Sequence, residues 1–120
     1  MRNNILTIVI VVVSSISALA QQKMNALEMA NYQTKTMVIE LELDKDQTKE
    51  IESINLKYSE KIVVLMEANG SMFGKMGDMK RIKQNKSNEL EKVLTPVQLE
   101  KYEDDVAPNM RKHMRKHMKI

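Results

Sequence analysis

Apolar residues recur at three- and four-residue spacing along most of this chain, the period of an amphipathic helix. Ile51, Ile54, Tyr58, Ile62 and Leu65 form the clearest stripe and predict a helix from about residue 44 to 68. Val63, Val64 and Met66 widen that stripe beyond what one neighbouring element covers, so this face is no solvated surface. Upstream, Met24, Leu27, Val38 and Leu41 share one face of a helix over about residues 22–42. Downstream, Met79, Ile82, Leu90 and Val93 mark a third helix, capped by Asp78 and ending at Leu94, with Lys86 or Glu89 as a polar residue within its face. Leu99, Tyr102 and Val106 mark a fourth, which Pro108 breaks or kinks. No convincing strand alternation occurs outside the N-terminal segment. The expected fold is all-α: about four helices in antiparallel hairpins, with self-association to enlarge a small core.

Helix boundaries carry a repeated pattern. Leu43-Asp44-Lys45-Asp46-Gln47 and Leu94-Thr95-Pro96-Val97-Gln98 both read Leu, a capping residue, two variable positions, then Gln. Asp44 and Thr95 can accept from orphan N–H groups of a first helical turn. Gln47 and Gln98, three residues on, can reach back to close a capping box, and Pro96 suits the first helical position. All three glycines fall at positions 70, 74 and 77, so residues 70–77 are expected as a flexible hairpin, with Asn69-Gly70 as a helix stop.

The N-terminus reads as a secretory signal peptide. Arg2 precedes an apolar run, and Ala18-Leu19-Ala20 is a small-residue cleavage site, predicting export with cleavage before Gln21. The expected organisation is a signal peptide at 1–20, a helical domain at 21–107 and a basic segment at 108–120. The chain contains no Cys, so neither a disulfide nor a lipobox is available. Its formal charge is +3, but Arg111, Lys112, Arg115, Lys116 and Lys119 crowd the last ten residues, which leaves the rest of residues 21–120 net acidic. Nucleic acid is not an expected partner: export removes the protein from it and stacking aromatics are scarce.

The two boxes resemble the LTxxQ signature of the Spy/CpxP family. The second box matches fully; the first has Asp44 in place of Thr and keeps the capping chemistry. A signal peptide, a small helical body, no Cys and a Met-rich composition agree with it. The resemblance implies a periplasmic, all-α, antiparallel helical protein that is elongated and curved and forms a homodimer. Family members act as ATP-independent chaperones, modulate envelope-stress or metal-responsive sensors, or bind zinc, nickel or copper. The family uses its boxes to shape helix turns, so Asp44, Gln47, Thr95 and Gln98 are assigned as structural caps.

Three constellations could carry function. Ile62, Val63 and Met66, with Met72, Phe73, Met76 and Met79, supply apolar and adaptable side chains suited to partly unfolded envelope proteins, or else to core and dimer packing. His113 and His117, one helical turn apart, with Met114 and Met118, have the spacing and softness for copper, zinc or nickel. Five cationic neighbours and no adjacent carboxylate favour a solvated basic face instead. That basic segment could also dock on an anionic membrane surface or a membrane sensor. No nucleophile–base pair is evident, so no enzyme activity, catalytic residue or required cofactor is expected.

Overall fold

The computed structural model describes residues 25–118 of the chain. The signal-peptide segment, its cleavage point and the start of the first expected helix lie outside the described residues, as do Lys119, Ile120 and the Met118 side chain. Among the described residues there are helices and short connections and no strand, so the fold is all-α. Helix α1 spans Ala26–Leu41, α2 Lys45–Glu67, α3 Met72–Glu91, α4 Pro96–Lys101 and α5 Ala107–Met118. A π-helical turn, Tyr102–Val106, joins α4 to α5 without a break.

Both capping boxes close. The Gln47 N–H donates to Asp44 Oδ1 at 2.8 Å and the Asp44 N–H to Gln47 Oε1 at 3.2 Å. The Thr95–Gln98 pair repeats this at 3.2 and 3.0 Å. The boxes also bond to each other. Gln47 Nε2 donates to Gln98 Oε1 (2.7 Å) and to Val93 O (3.1 Å). Gln98 Nε2 donates to Leu41 O (3.0 Å) and to Gln47 Oε1 (3.4 Å). Each glutamine thus caps its own helix and satisfies a carbonyl at the end of the helix preceding the other box. The result is a reciprocal clasp at one end of the bundle.

The core lies beside this clasp. Met37, Leu41, Ile51, Tyr58, Leu90, Leu94, Tyr102, Val106 and Met110 are buried together. A polar seam runs between α1 and α2, where Asn55 Nδ2 donates to Thr34 Oγ1 at 2.9 Å and Ser59 Oγ lies 3.5 Å from Gln33 Oε1. Buried polar pairs of this kind favour one register of two helices over slipped alternatives. On the α2–α3 face, Glu89 accepts from Lys57 Nζ (2.6 Å) and from the Tyr58 hydroxyl. These bonds hold the Glu89 carboxyl below its ordinary range.

Three boundaries differ from the sequence expectation. First, residues 70–77 are not a flexible hairpin: α3 starts at Met72 with Ser71 as its cap, so Asp78 is interior. Only Gly70, at φ +121°, needs glycine's freedom. The helix start is favoured because Ser71 Oγ accepts the Gly74 N–H at 3.1 Å and Lys75 Nζ returns to Met66 O at 3.3 Å, capping the end of α2. Gly77 is helical with nothing within 4 Å of an added Cβ. Gly77→Ala is therefore expected to stabilise the fold by about 0.5–1 kcal/mol in urea denaturation, whereas a mobile hairpin would show no gain.

Second, Pro108 does not stop the helix. The Ala107 N–H bonds back to Tyr102 O, one residue further than in an α-helix. This wide turn sits where the proline ring would otherwise press on the carbonyl of residue 104. Third, the segment after residue 107 is no separate tail, because Met110 is buried in the core and α5 packs along α1.

Candidate functional site

Burial ends abruptly along the α2–α3 hairpin. In α2 the last buried residue is Ser59, and in α3 the first is Lys86. No residue between positions 60 and 85 is buried. The outer halves of the two helices therefore form an arm that leaves the core, and the arm is rich in apolar side chains. Phe73 is 84% exposed, Val64 69%, Met76 63% and Met72 59%. Ile62, Val63, Met66 and Met79 are half-buried.

A cleft opens where the arm meets the body. Its outer lobe, about 310 Å3, has a methionine wall formed by Met29, Met66, Met72, Met79 and Met114. Its inner lobe, about 200 Å3, reaches Lys86, Ile82 and Met110. Gln33, Ile62, Lys83, Arg111 and Met114 line both lobes, so the two adjoin. Four of the seven expected client-contact residues (Ile62, Met66, Met72 and Met79) meet in this cleft. Phe73 and Met76 are exposed on the arm, and Val63 does not line either lobe.

The cleft is cationic. Lys86 is only 8% exposed, and its Nζ donates to Gln33 Oε1 at 3.1 Å. It makes no ion pair among the described residues, and burial pushes its ammonium down to about 8. Partial burial, then the charges of Arg111 and Arg115, lower Lys83. The cleft also has one carboxylate, Glu103, which accepts from Ser87 Oγ at 2.9 Å.

The histidines sit elsewhere on α5. The His113 ring stacks on Tyr32 with centroids 4.6 Å apart, and His117 lies 4.3 Å from His113. Met114 turns instead into the cleft, where Gln33 Nε2 approaches its sulfur at 3.8 Å. The structure therefore separates Met114 from the histidine pair with which the sequence grouped it. Among the described residues no three His, Cys, Asp or Glu side chains converge as a metal site.

Sequence reasoning missed the roles of Gln33, Lys86 and Arg111. The signal for Lys86 was its position between Ile82 and Leu90 on an otherwise apolar face; Gln33 and Arg111 had no comparable local mark.

No curated protein and no solved structure matches the chain. The profile of one family matches residues 17–102, the span that holds both boxes and the whole arm. By that match the chain belongs to the family described as domain of unknown function DUF4890.

Proposed function

We propose that this protein is a periplasmic envelope-stress protein of Spy/CpxP type, an ATP-independent holding chaperone that binds partly unfolded envelope proteins. The observation that carries the reading is the arm: 26 consecutive positions, 60 to 85, without a buried residue, bearing Val64, Met72, Phe73 and Met76 exposed. Apolar surface grouped in this way marks an interaction site. Unbranched thioethers adapt to clients of different shape, and charged neighbours on the arm, such as Lys61, Lys75 and Lys80, keep the complex soluble. Support for the family relation comes from the paired boxes, and support for export from the signal-like segment at 1–20. Dimerisation would leave one face of each arm for clients. Holding requires neither a cofactor nor covalent chemistry.

The test is light scattering of a reduced or heated model client with and without the protein. Suppression of aggregation without added metal is expected. Phe73→Ser/Met76→Ser removes exposed groups only, and should weaken suppression by about tenfold at unchanged helicity. Absence of suppression by the folded protein would reject the reading.

The close approach of His113 and His117 favours a second reading, a metal-binding accessory protein. Calorimetric titration with copper, zinc or nickel should then show binding that His113→Ala/His117→Ala abolishes.

A further inference from the structure

In the inner lobe of the cleft Lys86 has no ion-pair partner among the described residues; the lobe's carboxylate, Glu103, accepts from Ser87 Oγ instead. Lys86 lies at the floor of the lobe, buried and bonded only to the neutral oxygen of Gln33. Lys83 and Arg111 line both lobes and Arg115 the outer one, and none makes an ion pair among the described residues. Cations gathered at one place repel one another, and an incoming anion relieves that repulsion. The outer lobe sets a methionine wall beside Lys83, Arg111 and Arg115, and Ile62 lines both lobes. A methionine wall beside a recessed cation matches a molecule with a flexible hydrocarbon chain and a single anionic head.

We infer that the cleft binds a long-chain carboxylate, with the chain along Met66, Met72 and Met79 and the head group at Lys86 and Arg111. The recession of Lys86 decides between sources. A bilayer surface is too broad to reach a group that is 92% buried at the floor of a cleft, whereas a single chain can enter. The outer lobe alone, at about 310 Å3, reaches the size of small-molecule sites, which run from about 300 to 1,000 Å3. The carboxylate replaces none of the present bonds, since Gln33 Oε1 occupies only one of the three Lys86 donors. The proposed client surface shares Met72 with this site but has Phe73 and Met76 outside it, so parinarate binding and client holding are measured separately.

The experiment is a titration of the purified protein with cis-parinaric acid below its micelle concentration, read by fluorescence. Saturable binding near one per chain is expected. Dodecanoate should displace the probe at least tenfold better than dodecanol, which has the same chain without the charge. Lys86→Met should weaken parinarate binding at least tenfold at unchanged helicity, and Arg111→Gln, a change at an exposed position, should weaken it severalfold. Non-saturable binding, equal displacement by dodecanol, or unchanged affinity in both variants would overturn the assignment. Binding to phosphatidylglycerol vesicles without binding to monomeric parinarate would also overturn it, and would make Lys83, Arg111 and Arg115 a membrane contact instead.

Discussion

Replacing Gln98 by alanine is expected to lower the unfolding free energy by about 3 kcal/mol. The Gln98 side-chain amide takes part in four hydrogen bonds: it accepts from the Thr95 N–H and from Gln47 Nε2, and it donates to Leu41 O and Gln47 Oε1. A neutral hydrogen bond contributes about 0.5–1.5 kcal/mol net, and a shielded group left without its partner costs more than the bond contributed. Gln98→Glu separates the local role from the tertiary one. Glutamate can still accept the Thr95 N–H as a capping-box residue. It cannot donate to Leu41 O or to Gln47, and it sets a negative charge against both acceptors. A loss of about 2 kcal/mol is expected for this variant in urea denaturation. The clasp also predicts that Gln47→Ala and Gln98→Ala are not additive, with a coupling of about 1 kcal/mol in a double-mutant cycle. If Gln98→Glu were as stable as the parent, the box would act only on its own helix and the clasp would carry no energy.

Lys86→Met is expected to have the opposite effect, a gain of about 2 kcal/mol at pH 7. Burial lowers the Lys86 ammonium from its ordinary 10.5 to about 8. At about 1.36 kcal/mol per unit, holding the proton in the folded state costs about 3 kcal/mol. Methionine has similar length and no charge, and losing the bond to Gln33 returns about 1 kcal/mol of that gain. The pH dependence follows from the direction of the shift. Below about pH 8 both folded and unfolded chains keep the proton, so the full penalty is present. Between about 8 and 10.5 the folded chain releases it while the unfolded chain still holds it, so parent stability rises with pH. Once both forms are neutral the penalty is gone. The advantage of Lys86→Met should therefore be largest at neutral pH and shrink steadily towards pH 10.5. Urea denaturation of the two proteins at pH 7 and pH 10 measures it. A destabilised variant at pH 7, or a gain that does not change with pH, would remove Lys86 as an uncompensated buried charge. A residue that lowers stability at the floor of a cleft, and whose replacement weakens ligand binding, is what a binding site built on a buried cation requires.

Local chemistry was legible in the sequence. The stripes at three- and four-residue spacing marked α2, the inner half of α3 and the helix from Pro96, because an amphipathic period needs only the helix's own geometry. The face expected for α1, in contrast, was wrong: Leu27 is exposed, and Met29, Gln33 and Met37 are buried with Leu41. Asp44, Gln47, Thr95 and Gln98 were legible as caps because a capping box closes within one turn. Composition excluded disulfides for the same direct reason: there is no cysteine. Glycine content misled at residues 70–77, since propensity is a weak prior and Ser71 and Lys75 stabilise a helix start that the glycines disfavour. Pro108 misled likewise, because a wider turn placed just before it preserves the rod.

Everything that depends on which surfaces meet was decided only by the tertiary structure. The apolar run at 62–66 reads in the sequence as core and dimer interface, or else in part as a client patch; the body of the chain is too short to cover the outer turns of α2, so these residues are not core and stand on an arm. Each box was readable alone, but their mutual bonding joins residues about fifty positions apart. The cationic cleft likewise gathers Gln33, Lys86 and Arg111 from three helices. A sequence period specifies which side of a helix is apolar; the lengths and crossings of the packed helices determine whether that side is covered, left open or closed around a charge.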